Sequence, residues 1–372
     1  MSFTVLSLVL ISTIVGIVNS LYFLFIFIRL SYYRLKIKEK PQITNTVIPI
    51  SVIICAKNEG ELLFHSVEAI ASQDYPDFEI ILVDDHSNDN SPTIMEKLTE
   101  YYDFVHFFPA PDEIKDAPGK KAALAFGISK AKNKILLLTD ADCHPSSKHW
   151  IQLMVNQLQN REMVLGYGPT IKKQGLWNRF FQFETFITAV QYFSYSLTKI
   201  PYMGVGRNLL YKKSLYEKSN GFKSHLHLAS GDDDLFIQSV AGKNNTSICI
   251  DWQAFMYSEA PNSFSQFIQQ KLRHSSTSYA YSWLHKILLF LFAFSHLSFY
   301  TLISFLLVLK LKVALVIYIP FILIRWCILW PIMQKLNENN LKPLFPILDF
   351  IFAVYILIMA IRSPFAKKTQ WK

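Results

Sequence analysis

The sequence predicts an α/β protein with a mainly parallel sheet, joined to hydrophobic helices that cross a membrane at both ends. Between residues 48 and 139, short apolar runs alternate with helix-like stretches. That alternation is typical of parallel strands covered by helices on both faces. Residues of hydrophobic type make up 51% of the 372-residue chain, which is high for a soluble protein, and the excess lies near the two ends.

The first hydrophobic stretch runs from Phe3 to Ile28 without a charged residue. A bilayer core of about 30 Å needs about 20 apolar residues in a helix, so this stretch is long enough to span it. It exceeds the apolar core of a cleaved signal peptide, which is about 7–15 residues, and no basic residue precedes it. We therefore expect residues 1–28 to be a retained transmembrane anchor.

Basic residues follow this anchor closely, at Arg29, Arg34, Lys36, Lys38 and Lys40. Positive charge next to a membrane span favours the cytoplasmic side. We expect residues 29–48 to be a basic juxtamembrane linker and the domain after it, residues 49–284, to be cytoplasmic.

The middle domain reads as strands and helices in alternation. Strands are predicted at Ile48–Ala56, Phe78–Val83, Phe104–Phe108 and Lys134–Thr139. Helices are predicted at Glu61–Ser72, Pro92–Tyr102 and Lys120–Ala131. Later in the domain, Leu235–Ala241 is also predicted to be helical.

Polar clusters follow three of these strands directly, at Lys57–Glu59, Asp84–Asp89 and Asp140–Asp142. In open α/β sheets the ligand lies beyond the carboxyl ends of the strands. Any one cluster could be a set of turn and helix-cap residues. Three clusters at three strand ends favour a binding site instead.

The clusters are acidic, and a carboxylate-rich crevice can hold a diphosphate only through a divalent cation. Asp140 and Asp142 are two residues apart after a strand, so an extended chain points both side chains the same way. That pair suits Mg²⁺ or Mn²⁺. The sequence contains neither a GxGxxG motif after the first strand nor a GxxxxGK[ST] motif, which argues against a dinucleotide fold and a P-loop.

Three more apolar segments form a predicted membrane region, residues 285–372: Ile287–Leu309, Val313–Trp330 and Phe345–Ile361. The third is interrupted by Pro346 and Asp349. The basic tail after the third segment contains Arg362, Lys367, Lys368 and Lys372. If all three segments cross the membrane, this tail lies outside the cell, against the positive-inside rule. We therefore expect one of them to lie in the interface or to re-enter.

The net charge of +9 does not require a nucleic-acid partner. Much of it flanks the hydrophobic segments, where anionic lipid head groups can balance it. The four cysteines, Cys55, Cys143, Cys249 and Cys327, have no CxxC spacing, so neither a disulfide framework nor a zinc site is predicted.

Five motifs occur in a fixed order: VDDHSND (Val83–Asp89), GKKAAL (Gly119–Leu124), TDADC (Thr139–Cys143), GDDDL (Gly231–Leu235) and QKLRH (Gln270–His274). In this order and spacing, Pro49 to Ser276 resembles the family 2 glycosyltransferases with a GT-A fold. The resemblance is to the branch that contains ceramide and hopanoid glycosyltransferases and hyaluronan and cellulose synthases. The segment Gly204–Phe222 is similar to a stretch beside the acceptor in that family.

The resemblance implies a nucleotide-sugar donor and assigns residues to it. Asp85, with Ala56 and Glu59 nearby, would face the base and ribose, and Lys120 would approach the nucleotide. Asp140 would support the region between the ribose and the metal.

In the same way, the resemblance implies that Asp142, with Asp140, ligates the metal. Gln270 and Arg273 would close over the diphosphate. Asp232 stands three residues before Leu235, where the family has its general base. Gly231 replaces the acidic residue that usually precedes the base, so Asp233 stays open as an alternative.

The chemistry expected is inverting transfer, in which a metal and a guanidinium stabilise the leaving diphosphate and a carboxylate takes the acceptor proton. We expect a lipid, lipid-linked or glycan acceptor, and an integral protein of the bacterial inner membrane. A processive polysaccharide synthase is the alternative, although His274 stands where such enzymes carry Trp. A non-catalytic membrane scaffold with a degenerate domain is a third. The aromatic segment Phe180–Leu197 is predicted to be a helix on the sheet or in the membrane interface, with an acceptor-lipid groove less favoured.

Overall fold

The strands form one seven-stranded sheet and one small sheet. The structure, a computed structural model, describes residues 3–33, 47–309 and 312–365. The strands are β1 (Ile50–Ala56), β2 (Phe78–Asp84), β3 (Val105–Pro109), β4 (Ile135–Asp140), β5 (Cys143–Pro145), β6 (Met163–Gly166), β7 (Leu209–Lys212), β8 (Thr246–Cys249) and β9 (Met256–Ser258).

The helices fall into those of the middle domain and those of the two ends. At the ends they are α1 (Phe3–Tyr22), α2 (Ile28–Tyr32), α11 (Trp283–Val308), α12 (Val313–Lys335) and α13 (Phe345–Arg362). In the middle they are α3 (Gly60–Ala71), α4 (Ser91–Tyr101), α5 (Lys121–Lys130), α6 (Trp150–Leu158), α7 (Leu176–Leu197), α8 (Lys213–Lys218), α9 (Asp234–Val240) and α10 (Phe264–Ser275). A π-helical turn at Phe23–Phe27 joins α1 to α2.

The large sheet has the strand order β3-β2-β1-β4-β7-β6-β8, with only β7 antiparallel to its neighbours. The predicted α/β class with a mainly parallel sheet is therefore confirmed. The predicted strands all form, with ends shifted by a residue or two. The first begins at Ile50, whose N–H donates to Asp77 (3.2 Å), because Pro49 has no N–H to offer the sheet.

The two faces of the sheet have different neighbours. Along β1, Val52 and Ile54 pack in a core with α3, α4 and α6. Ile53 and Cys55 point the other way, into a core that contains α5 and α7 and continues into the end helices. Side chains alternate along a strand. Strand β1 therefore contributes both to the core with α3, α4 and α6 and to the core shared with the end helices.

Among the described residues, four helical stretches are long and apolar enough to cross a membrane: Phe3–Tyr32, Trp283–Val308, Val313–Lys335 and Asn339–Arg362. The first continues past the predicted end at Ile28. The third C-terminal segment is also long and apolar enough to span a bilayer. Whether it crosses the membrane or re-enters stays a prediction. Most of the predicted linker at 29–48 and the basic tail lie outside the described residues.

The two residues that counted against the third segment both have a structural explanation. Pro346 lies in the first turn of α13, where a missing N–H costs nothing. Asp349 accepts hydrogen bonds from Arg325 Nη1 (2.9 Å) and Tyr300 Oη (2.5 Å). Arg325 is fully buried, and its guanidinium lies 4.7 Å from the centroid of the Phe299 ring. The charge of Asp349 is therefore paired inside the helix bundle.

This ion pair predicts an asymmetric response to substitution. Arg325→Met should lower the free energy of unfolding by about 3–5 kcal/mol, because it leaves Asp349 buried and unpaired. Arg325→Met combined with Asp349→Leu should recover most of the loss, because no charge remains. Thermal midpoints of purified protein in detergent provide the measurement.

Arg362→Met is the matched control, because Arg362 is exposed at the end of α13, and it should leave the midpoint unchanged. A double variant no more stable than Arg325→Met alone would contradict the pairing argument.

Candidate active site

A cavity of about 450 Å³ lies beyond the carboxyl ends of β1 and β4. Predicted site residues that line it are Glu59, Lys120, Asp140, Asp142, Asp232, Asp233, Gln270 and Arg273. The structure thus brings together side chains from the starts of α3 and α5, the end of β4, the start of α9, and α10. The polar clusters predicted that Glu59, Asp140 and Asp142 would meet here, and the family resemblance implied the others.

Ala56 and Asp85 lie beside this cavity rather than in its described lining. The Asp85 N–H donates to the Ala56 carbonyl (2.8 Å), so the ends of β1 and β2 are tied together there. Burial raises the pKa of the Asp85 carboxyl, against the effect of a hydrogen bond from His86. A contact of either residue with a nucleotide stays a prediction.

Lys120 lies at the centre of the acidic groups. Its Nζ is 2.6 Å from Asp140 Oδ1 and 3.2 Å from Asp232 Oδ2. Burial disfavours the charged ammonium, but Asp140 and Asp232 outweigh it and raise the pKa of Lys120 well above its ordinary value. Burial likewise acts to raise the pKa of Asp140, yet Lys120 holds it below its ordinary value. Lys120 and Asp140 are therefore ionised together.

Asp140 and Asp142 meet the requirements of a divalent cation. One ligand atom from each, with Cys143 Sγ, lies within 4.8 Å of the others. Cys143 donates to Asp142 Oδ1 (3.3 Å) and burial raises the pKa of its thiol. The hydrogen bond from the thiol orients the Asp142 carboxylate, and the two carboxylates form an oxygen set suited to Mg²⁺ or Mn²⁺.

Three adjacent carboxylates, Asp232, Asp233 and Asp234, differ in their partners. Asp233 is the N-cap of α9, accepting from the Asp234 N–H (2.8 Å) and, with its other oxygen, from the Gly206 N–H (3.0 Å). Asp234 accepts from Thr277 and from Tyr281 (2.5 Å). Asp232 lies beside Lys120 in the cavity. Two of the three are thus engaged in holding structure.

Helix α10 lines the cavity and is anchored on α7 by two of its lining residues. Gln270 and Arg273 line the cavity, and Arg273 is close enough to Asp140 to lower its pKa. Phe267 and Lys271 line it as well, where Lys271 pairs with Glu184 of α7 and Phe267 stacks on Phe181 with centroids 4.4 Å apart. The helix is therefore anchored on α7 while it closes one side of the cavity.

Sequence reasoning missed several lining residues. One face of α7 lines the cavity through Phe181, Glu184, Thr185, Thr188 and Tyr192. Their three- and four-residue spacing in an aromatic segment was the available signal. Leu289, Tyr355 and Met359 extend the lining into α11 and α13. The interpretation of this segment as an acceptor-lipid groove stays a prediction.

Arg207 was also missed as a site residue. It lines the cavity, its Nη1 donates to Ser258 Oγ (2.7 Å), and it acts with Lys120 to lower the pKa of Asp140. The cavity thus contains several cations around the paired carboxylates.

Comparison with known proteins agrees with this geometry. Residues 51–219 match the family described as Glycosyl transferase family 2. The chain is 30% identical over 205 residues to the probable glycosyltransferase YdaM of Bacillus subtilis, covering 51% of this chain and 45% of that protein. It is 34% identical over 93 residues to the cholesterol galactosyltransferase of Borreliella burgdorferi, covering 25% of each. The chain spans less than half the length of these relatives.

A solved structure shows the same fold. The mannosyltransferase PcManGT of Pyrobaculum calidifontis, in complex with GDP-Man and Mn²⁺, has a TM-score of 0.59 at 18% identity. The alignment covers 91% of this chain and 99% of that one. The predicted GT-A fold and the resemblance to family 2 glycosyltransferases are therefore confirmed.

The crowding of carboxylates predicts a pH-dependent stability. Burial, followed by the charges of Asp232 and Asp234, raises the pKa of Asp233 from 3.8 to about 8. Because the folded protein favours the protonated form, this stabilisation is complete below about pH 4 and is lost as pH rises from there to about 8. Thermal midpoints should fall between pH 5 and pH 8, and less steeply in Asp233→Asn.

Asp112→Asn serves as control, because the Asp112 side chain is 98% exposed. It should give the same slope as the unaltered protein. Equal slopes for Asp233→Asn and the unaltered protein would contradict the assignment.

Proposed function

We propose, from the family 2 glycosyltransferase domain at residues 51–219, that the chain transfers a sugar from a nucleotide-sugar donor to an acceptor hydroxyl with inversion. The observation that carries this proposal is the position of Lys120 between Asp140 and Asp232. The candidate metal carboxylate and the candidate base both contact this one ammonium, within a single cavity.

The leaving group is a nucleoside diphosphate, which gains negative charge as the bond to the sugar breaks. Asp140 and Asp142 would hold Mg²⁺ or Mn²⁺, and the ion supplies Lewis-acid stabilisation of the diphosphate oxygens. Arg273 and Gln270 of α10 add hydrogen-bond donors to the same region. The related mannosyltransferase structure contains GDP-Man and Mn²⁺, in keeping with this arrangement.

The acceptor oxygen attacks the anomeric carbon from the face opposite the diphosphate. Its proton passes to Asp232, the bond from the sugar to the phosphate oxygen breaks, and both electrons leave with the diphosphate. Asp232 is favoured over Asp233 because both Asp233 oxygens accept backbone N–H groups. Displacement of this kind inverts the sugar and needs no covalent intermediate.

The acceptor is proposed to be a lipid or a lipid-linked glycan that approaches from the membrane. The cavity extends to Leu289, Tyr355 and Met359, which belong to helices apolar enough to cross a bilayer. A hydroxyl at the end of an apolar chain could therefore reach Asp232 while the chain stays among these helices. One relative is named for a lipid acceptor, cholesterol.

The catalytic domain is proposed to face the cytoplasm of a bacterial cell, at its inner membrane. Basic residues cluster directly after the first apolar stretch, which favours this orientation. Nucleotide-sugar donors would then bind from the cytoplasmic side.

A processive polysaccharide synthase is the second candidate function. Another relative, 30% identical over 130 residues and 35% of this chain, is a poly-beta-1,6-N-acetyl-D-glucosamine synthase of Staphylococcus epidermidis. His274 in place of an aromatic residue disfavours this function. A non-catalytic scaffold is disfavoured because Asp85, Asp140, Asp142 and Asp232 are all retained.

A donor screen tests the proposed reaction and its metal. Membranes containing the protein are supplied with each labelled nucleotide sugar, and nucleoside diphosphate release is measured with the partition of label into organic solvent. Turnover should stop in excess EDTA and return with Mg²⁺ or Mn²⁺. Asp142→Ala should lose most activity yet remain folded.

Two results would overturn parts of this proposal. Full activity in excess chelator would contradict the metal assignment. Label recovered in a long water-soluble polymer, rather than in lipid, would favour the synthase.

The assignment of the base gives a separate prediction. Asp232→Asn keeps the size of the side chain but cannot accept a proton, so kcat should fall about 10²-fold or more while donor binding is nearly unchanged. Asp233→Asn and Asp234→Asn should cost less. If Asp233→Asn is the inactive variant and Asp232→Asn is not, the alignment of the motif is shifted by one residue at Gly231.

A further inference from the structure

Lys121 has a different environment from its neighbour Lys120. Its side chain is fully buried in the first turn of α5. Its Nζ donates to two backbone carbonyls, those of Leu228 and Ser230, at 2.5 Å each. Burying an ammonium group costs free energy unless hydrogen bonds within the protein replace those it made with water. The Lys121 ammonium is therefore hydrogen-bonded to the segment 228–231, while Lys120 lines the cavity.

The segment 228–231 is held from a second side by Gly119. A Cβ added at Gly119 would lie 2.0 Å from the Ala229 carbonyl oxygen, and its φ of +73° is one that glycine adopts readily. The start of α5 thus fits tightly against this segment through both Gly119 and Lys121.

The segment leads directly to the proposed base. Ala229 and Ser230 line the cavity, and Gly231 follows with a φ of +111°. Only Gly231 separates the carbonyl that Lys121 binds from Asp232. Because the chain is this short, a displacement of Ser230 would displace the Asp232 carboxylate.

The charge of Lys121 also lies close to the three carboxylates. Burial lowers the pKa of Lys121 to about 8, and Asp232, Asp234 and Asp233 oppose that shift. The Lys121 ammonium therefore offsets part of the negative charge of these carboxylates from its position against the segment 228–231. Lys120 offsets part of it from within the cavity.

We propose that Lys121 is a positioning residue for the proposed general base. Its two hydrogen bonds fix residues 228–231 and so set the position of Asp232 relative to Lys120 and the acceptor hydroxyl. This role rests on the proposed glycosyl transfer. It predicts an effect on the chemical step with little effect on donor binding, because Lys121 does not reach the described lining of the cavity.

The kinetic test compares three variants. Lys121→Met removes the donors and the charge at similar size, and should lower kcat about 10- to 100-fold, the effect expected of a misplaced catalytic group. KM for the donor should stay within about twofold, since uniform binding is retained. Lys121→Gln keeps an N–H donor and should retain more activity than Lys121→Met. Lys130→Met, at the exposed end of the same helix, is the matched control and should match the unaltered protein.

A second measurement does not depend on catalysis. Hydrogen–deuterium exchange in a peptide covering residues 226–236 should increase in Lys121→Met, and should be unchanged in Lys130→Met. If Lys121→Met does not fold, Lys121→Gln is used for both measurements, with a smaller fall in kcat and a smaller rise in exchange expected.

Several outcomes would overturn the proposal. One is an unchanged kcat in Lys121→Met, and another is unchanged hydrogen–deuterium exchange at residues 226–236 in that variant. A third is a fall in kcat/KM that comes from a raised KM for the donor. Failure of the unaltered protein to turn over any donor would instead count against the proposed function, and the exchange result would still decide whether Lys121 holds the segment.

Discussion

The site depends on the charge of Lys120. Asp140 ends β4, whereas Asp232 and Asp233 lie at the start of α9, and grouping their carboxylates in one cavity is unfavourable without a cation. Lys120 supplies that cation at 2.6 Å and 3.2 Å from two of them. It can do so because Gly119 allows the turn before α5 to lie against residues 228–231. The start of one helix therefore determines how β4 and α9 meet.

The orientation of the cavity follows from the two faces of the sheet. One face is covered by α3, α4 and α6 in a core of its own. The other shares its core with the end helices, so the crevice at the strand ends opens beside α11 and α13. The proposed donor site then lies in the α/β domain, and the apolar wall lies among helices apolar enough to cross a membrane. That division suits a polar donor and an apolar acceptor.

The sequence predicted those parts of the site that local patterns encode. Strands β1, β2 and β4 were recognisable as buried apolar runs, and the clusters after them had to meet at one edge. Contacts between distant elements were not predictable. Asp349 seemed to interrupt a span because its partner Arg325 lies on another helix. Asp232 and Asp233 could not be separated from sequence, because they are adjacent and only their hydrogen bonds differ.

Helix α10 connects the two halves of the proposed reaction. Phe267 and Lys271, one turn apart, pack against α7, and the Phe267 ring also lies 5.7 Å from the Tyr355 ring of α13. Gln270 and Arg273 of the same helix line the cavity together with them. The same helix thus borders the apolar wall and the place proposed for the diphosphate. Because the contacts with α7 and α13 hold this helix in place, they position Arg273 at the proposed donor region while they also form the wall of the proposed acceptor route.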